Sequence, residues 1–171
     1  MKEQRHARVD LYCLCGFVGS GKTTYAKRLC REISAFRLSI DEWMIPLFGE
    51  HMGRELFEER RTLLEDLFKQ QTIQLAKLGV PVVMDFGFWK KSDRDQIRRW
   101  ADDNDLLVEI HYLEQDFEVC KARSLARNGQ SDSRSYTMTP EMLSLFWSWF
   151  EPPNDEQVVI VDSAKQPVRN V

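Results

Sequence analysis

Gly16-Phe17-Val18-Gly19-Ser20-Gly21-Lys22-Thr23 is a complete G-x-x-x-x-G-K-[ST] stretch, and Thr24 follows it. Glycines at these positions permit backbone conformations that a side chain would forbid, so several N–H groups can converge on phosphate oxygens. The lysine supplies a point charge to the β and γ phosphates, and the Thr23 hydroxyl is a ligand for Mg²⁺. A helix starting near Lys22 aims its positive N-terminal end at the same anion. On one side, the apolar stretch from Leu11 to Cys15 reads as a buried strand; on the other, Ala26, Leu29, Cys30 and Ile33 share one helical face. Strand, glycine loop and helix predict a nucleotide site made by Gly16, Val18, Gly19, Ser20, Gly21, Lys22, Thr23 and Thr24.

The wider composition is compatible with that reading. The chain has 171 residues, 43% of them hydrophobic and 30% charged, which suits one globular domain over residues 1–171. A net charge of −3 argues against an extended basic surface for nonspecific nucleic-acid binding, though a local groove for a nucleic-acid end stays open. Cys13, Cys15, Cys30 and Cys120 sit in apolar settings without a ligand-like cluster around them, and are expected to be free thiols. No secretory h-region precedes residue 9 and no apolar run approaches a membrane span, so a reducing cytoplasm without membrane attachment is expected.

Along the chain, short strand-like runs alternate with longer helical ones. Residues 36–40 read as strand two, 82–85 as strand three, 106–113 as strand four and 158–161 as strand five. Between them lies a long amphipathic helix over about residues 54–78, stopped by Gly79 and Pro81. Ser92, with Asp95 three residues on, predicts the N-cap of the next helix, and Asp116 that of the one carrying Arg123. Residues 128–138 read as a polar, mobile lid-like loop, and Thr139-Pro140-Glu141 opens a further helix. Five strands separated by helices imply an α/β fold with a parallel sheet covered on both faces.

Ligands of open parallel sheets sit beyond the carboxyl ends of the strands, which gathers the glycine loop, Asp41, Asp85 and Asp162 on one rim. Asp85 ends an apolar run and is expected to hold Mg²⁺ directly or through water. Asp41 is placed to take the proton of an attacking hydroxyl. Arg123 and Arg127, four apart on one helical face, are expected to brace the phosphates, with Arg134 a lesser candidate. Phe86, Phe88 and Trp89 at the rim could wall an acceptor pocket. Phe146, Trp147, Trp149 and Phe150 are expected to pack a helix. His6, His51 and His111 are assigned no chemistry. Lys90, Lys91, Arg94, Arg98 and Arg99 form a candidate basic path for a polynucleotide.

The glycine loop, Ser39-Ile40-Asp41, Val83-Met84-Asp85 and the run from Cys120-Lys121-Ala122-Arg123 to Arg127-Asn128 together resemble the AAA-like P-loop kinases. That group includes zeta toxins, polynucleotide 5′-hydroxyl kinases, chloramphenicol phosphotransferase and gluconate kinase. The resemblance spans about residues 10–163. It implies a P-loop NTPase three-layer sandwich with strand order 2-3-1-4-5 and a short lid over about residues 123–139. It also implies ATP with Mg²⁺, γ-phosphoryl transfer to a hydroxyl, Asp41 as base, and Arg123 and Arg127 steadying phosphates. No N-K-x-D guanine-reading element is evident, so ATP is expected rather than GTP. The acceptor is then a small molecule or nucleotide, with a polynucleotide 5′-hydroxyl as alternative. A reading of another class is an ATP-binding switch that hydrolyses slowly and needs no acceptor. Oligomeric state is left open.

Overall fold

The computed structural model describes residues 8–49, 52–129 and 136–162. Its elements run β1 (Leu11–Cys15), α1 (Lys22–Ile33), β2 (Phe36–Ser39), α2 (Ile40–Phe48), α3 (Arg54–Lys77), β3 (Val82–Gly87), α4 (Lys91–Asp103), β4 (Val108–Glu114), α5 (Phe117–Ala126), α6 (Pro140–Trp149) and β5 (Val159–Asp162). The strands form one sheet in the order β2-β3-β1-β4-β5, and every neighbouring pair is parallel. β1 therefore sits at the centre, buried on both faces, which explains its almost unbroken apolar sequence.

Alternation along β1 divides the core. Leu11, Cys13 and Cys15 point to the face covered by α3, α4, α5 and α6, meeting Leu64, Phe68, Ile97, Cys120 and Leu143. Leu14 points to the other face, where Tyr25, Ala26 and Leu29 of α1 pack against it with Val83 and Leu113. The result is a three-layer sandwich with the P-loop NTPase fold. The four cysteines are free, and Cys13, Cys15 and Cys120 are buried. Among the described residues, no helix is long and apolar enough to cross a membrane.

Several local expectations are revised. β2 ends at Ser39, because Ile40 and Asp41 already belong to the first turn of α2. α4 starts two residues earlier than its serine predicts: Lys90 is the N-cap, and its backbone N–H donates to Asp93 Oδ2 at 3.3 Å. Ser92 lies inside the first turn, while Asp95 pairs with Lys91 and Arg98 instead of capping. α5 ends at Ala126, so Arg127 is its C-cap rather than a residue of its interior. The expected α6 start stands, with Thr139 Oγ1 accepting from Met142 N at 3.2 Å and Pro140 at the first position. Arg134, His6, His51 and residues 130–135 of the lid-like loop lie outside the described residues.

Candidate active site

The parallel topology brings the ends of β1, β2 and β3 to one rim. Ser39 of β2 pairs in register with Asp85 of β3, and Cys15 of β1 pairs with Gly87 across an irregularity in the ladder. The chain leaving β1 then turns through residues 16–21 into α1. Gly21 caps α1 in the left-handed region at φ 96°, a conformation that costs a side-chain-bearing residue about 1–2 kcal/mol. Gly19, at φ 83°, is tighter still: a Cβ there would stand 2.3 Å from the carbonyl oxygen of Cys120 and 2.6 Å from Ser124 Oγ, both on α5.

Within this loop the polar groups are arranged around an incomplete set of partners. Lys22 Nζ donates to the carbonyl of Phe17 at 2.7 Å. Burial lowers its pKa below the ordinary lysine value, while the charges of Asp85 and Asp41 hold it up. Ser20 is buried, and its Oγ finds no hydrogen-bond partner among the described residues. Arg127 Nε, beyond α5, is likewise buried without a partner among the described residues. A buried donor left unsatisfied costs about 1–3 kcal/mol, so each of these two atoms has the capacity to bond a bound group.

Asp41 stands in the first turn of α2 and keeps an open side to solvent. The protein crowding its carboxyl pushes the pKa above the ordinary aspartate value, and the charge of Asp85 adds to the rise. Lys22, Arg61 and Arg127 pull it back. Asp41, Asp85, Lys22 and Arg127 therefore share one electrostatic neighbourhood. Arg123 is exposed on α5. Asp162 ends β5, two strands away from β1.

Asp85 has a partner that residue spacing does not reveal. Arg37 of β2 donates to Asp85 Oδ2 at 3.2 Å and also pairs with Glu42 of α2. One oxygen of Asp85 is thus engaged by a guanidinium. Among the described residues, no group of three His, Cys, Asp or Glu side chains gathers as a metal cage. Mg²⁺ suits such a site, because it retains several waters and takes its remaining ligands from one or two side chains and substrate phosphates. The exposed Thr23 hydroxyl fits the direct role, and Asp85 fits a water-bridged one.

The aromatic rim divides in two. Phe86 and Phe88 stack at 5.6 Å between ring centres. With Arg61, Glu65 and Lys69 of α3 and Asp93, Gln96 and Ile97 of α4, they line a cavity of about 60 Å³. Trp89 turns the other way, onto the glycine loop, stacking on Phe17 at 5.3 Å. Trp147 and Phe150 pack against the same Phe17, at 4.9 and 5.9 Å, as expected of helix-packing aromatics.

Lys90, Lys91 and Arg99 of the basic path are exposed, whereas the other two cations are drawn inward. Arg94 is fully buried and bonded to Glu156, Arg98 also reaches Glu156, and Lys91 pairs with Asp95. His111 is structural in its contacts: its Nδ1 lies 2.7 Å from the Tyr25 hydroxyl and its Nε2 lies 3.0 Å from Glu109 Oε2.

A glycine loop between the central strand and its helix, with strand-end acids beside it, defines a P-loop NTPase. The family model described as AAA domain matches residues 11–153, and the chain belongs to that family. No curated protein matches the chain. Kti12 of Chaetomium thermophilum, solved in complex with ADP-AlF3, is 16% identical with a TM-score of 0.69, covering 91% of this chain and 90% of that one. A gluconokinase from Sinorhizobium meliloti is 19% identical with a TM-score of 0.63, covering 94% and 86%. The APS kinase of Mycobacterium tuberculosis, in complex with AMPPNP and APS, is 14% identical with a TM-score of 0.60, covering 93% and 91%. At these identities the likeness is one of fold.

Proposed function

We propose that the protein is an ATP-dependent kinase that transfers the γ-phosphoryl group to a hydroxyl of a small molecule or nucleotide. The observation that carries this reading is Asp41, a carboxylate at the start of α2 that shares its electrostatic surroundings with the loop lysine. Nucleotide binding alone has no need of a second acid there. A phosphoryl acceptor does, because its hydroxyl must lose a proton as the new bond forms. The nucleotides held by Kti12 and APS kinase, and the activities named for the gluconokinase and APS kinase, support ATP and an alcohol acceptor.

In this reading the backbone N–H groups of residues 16–21 cradle the phosphates, and Lys22 leaves the Phe17 carbonyl to neutralise developing charge. Arg127 supplies a guanidinium from the lid side, with Arg123 as its neighbour four residues earlier. Asp41 accepts the hydroxyl proton. When bound, Mg²⁺ neutralises phosphate charge, with Thr23 and Asp85 as its protein contacts. The cavity beside Phe86 and Phe88, with room for about two waters, forms part of the wall of the acceptor site. Its mixture of Arg61, Glu65, Lys69 and Gln96 matches a polar, hydroxyl-bearing molecule better than an apolar one. A polynucleotide acceptor is the weaker alternative, since Arg94 and Arg98 of the basic path are taken up by Glu156.

The test is ADP release from Mg-ATP in the presence of pooled sugar acids, polyols, nucleosides and a 5′-hydroxyl oligonucleotide. One pool is expected to stimulate release. Asp41→Asn is expected to retain ATP affinity and lose about a hundredfold or more of the stimulated rate. Parent-like transfer by that variant removes Asp41 as base. ATP turnover that no pool stimulates favours the switch instead.

A further inference from the structure

We infer that Trp89 is a positioning residue for the nucleotide site: its indole N–H and the neighbouring Gly87 carbonyl grip Gly16 and hold the glycine loop in its phosphate-binding shape. The inference rests on the reading of residues 16–24 as that site. Both backbone groups of Gly16 are held by one short segment. Its N–H donates to Gly87 O at 3.1 Å, and its carbonyl accepts from Trp89 Nε1 at 3.1 Å. The indole ring also stacks on Phe17, whose carbonyl is the resting partner of Lys22.

The segment adopts an unusual backbone to do this. Gly87 and Phe88 both occupy the left-handed region, at φ 98° and 42°. Positive φ is uncommon for a residue with a side chain and persists where the surroundings over-determine it. At Gly87 a side chain would also press on the indole, since a Cβ would stand 3.0 Å from Trp89 Nε1 and the ring would have to give by a few tenths of an ångström.

The clamp is anchored from behind. Arg94 donates to the carbonyls of Phe88 at 2.9 Å and Trp89 at 3.1 Å. Its guanidinium is in turn held by Glu156 at 2.6 and 3.0 Å, on the chain leading into β5. The Trp89 carbonyl also accepts from Glu151 N at 3.0 Å. A loop fixed at its first residue by anchored partners loses less freedom when it binds an anion, which raises affinity without adding a contact to the ligand.

Trp89→Phe removes the N–H while keeping a ring to stack on Phe17. Hydrogen exchange of the nucleotide-free variant is expected to accelerate at the amides of residues 16–21 and to stay at parental rates in β1 and β4. Calorimetric titration with Mg-ATP is expected to show a Kd about two- to tenfold higher, the worth of one neutral hydrogen bond. The Trp89 indole N–H resonance, assigned by its loss in the variant, is expected to shift when Mg-ATP is added to the parent. Parental exchange rates at residues 16–21 in folded Trp89→Phe overturn the clamp, and so does an unchanged Kd. A parent protein that takes up no Mg-ATP overturns the nucleotide reading instead, while accelerated exchange in the variant still upholds the clamp. If Trp89→Phe does not fold, Gly87→Ala carries the test, since its methyl group presses on the indole that bonds Gly16; it must show the same local acceleration.

Discussion

Asp41 combines two demands that oppose each other at a single carboxyl. To accept a proton it must be ionised, and its surroundings make ionisation harder than in water. Because its pKa is raised in the folded chain, the folded state binds more protons than the unfolded state between the two values. Stability of the ligand-free protein therefore falls as pH rises through the ordinary aspartate range and up to the raised value. Asparagine at this position carries no such cost. Asp41→Asn is expected to melt at a higher temperature than the parent near neutral pH, with the gap closing below about pH 4 where both states of the parent are protonated. Calorimetry across that range checks the sign, and a gap that opens toward acid instead contradicts the crowding around Asp41. Stimulated transfer is expected to run the other way, rising with pH as the carboxyl ionises.

At the scale of elements, the contact between the glycine loop and α5 decides where the lid-side arginines begin. Gly19 and Gly21 are both left-handed, but only Gly19 is packed, against Cys120 O and Ser124 Oγ, whereas a Cβ at Gly21 meets nothing within 4 Å. Gly21→Ala should therefore cost only backbone strain, about 1–2 kcal/mol. Gly19→Ala adds the displacement of α5 and should cost about 2–5 kcal/mol. Urea unfolding of the two variants measures the difference, and equal losses would mean that α5 yields freely. These glycines are legible in the sequence because their spacing is a local pattern, as are β1 and α1; the apolar residues of α3 are only partly so, since Leu64 and Phe68 are buried while Leu63 and Leu67 are exposed. The partners of Asp85 and Gly16 are not legible, since Arg37 and Trp89 lie 48 and 73 positions away and neither belongs to a spacing rule. Arg94 is misread for the same reason: a cation among four others looks like a solvated face until Glu156, 62 positions on, arrives beside it. The early start of α4 is also hidden, because a lysine N-cap has no side-chain acceptor to announce it.

Across the whole molecule, the Arg94–Glu156 pair ties the exit of β3 to the chain entering β5, joining segments on opposite sides of the central strand. Both side chains are almost wholly buried, at 0% and 4% exposure, so neither charge has water to fall back on. Glu156→Gln leaves the buried Arg94 uncompensated and should cost about 3–5 kcal/mol, whereas Arg94→Met should lose less from charge, because Arg98 still reaches Glu156 at 3.3 Å. Replacing both by apolar residues often restores stability at such a pair. Here the rescue should be incomplete, because Arg94 also donates to the carbonyls of Phe88 and Trp89, which the double variant leaves with only Cys15 Sγ and Glu151 N as donors. The bond from Arg94 holds the Glu156 pKa below the ordinary glutamate value. A depressed carboxyl pKa contributes stability that is present above the unfolded value and is lost as pH falls through the folded one. Arg94→Met with Glu156→Leu should accordingly flatten the acid limb of the stability curve while remaining less stable than the parent at neutral pH. Denaturant unfolding of the parent, both single variants and the double variant, from neutral to acid pH, gives the coupling energy of the pair and its pH dependence together. A double variant as stable as the parent would show that the two carbonyls never depended on Arg94, and an acid limb unchanged by the double substitution would show that Glu156 is not the group that titrates.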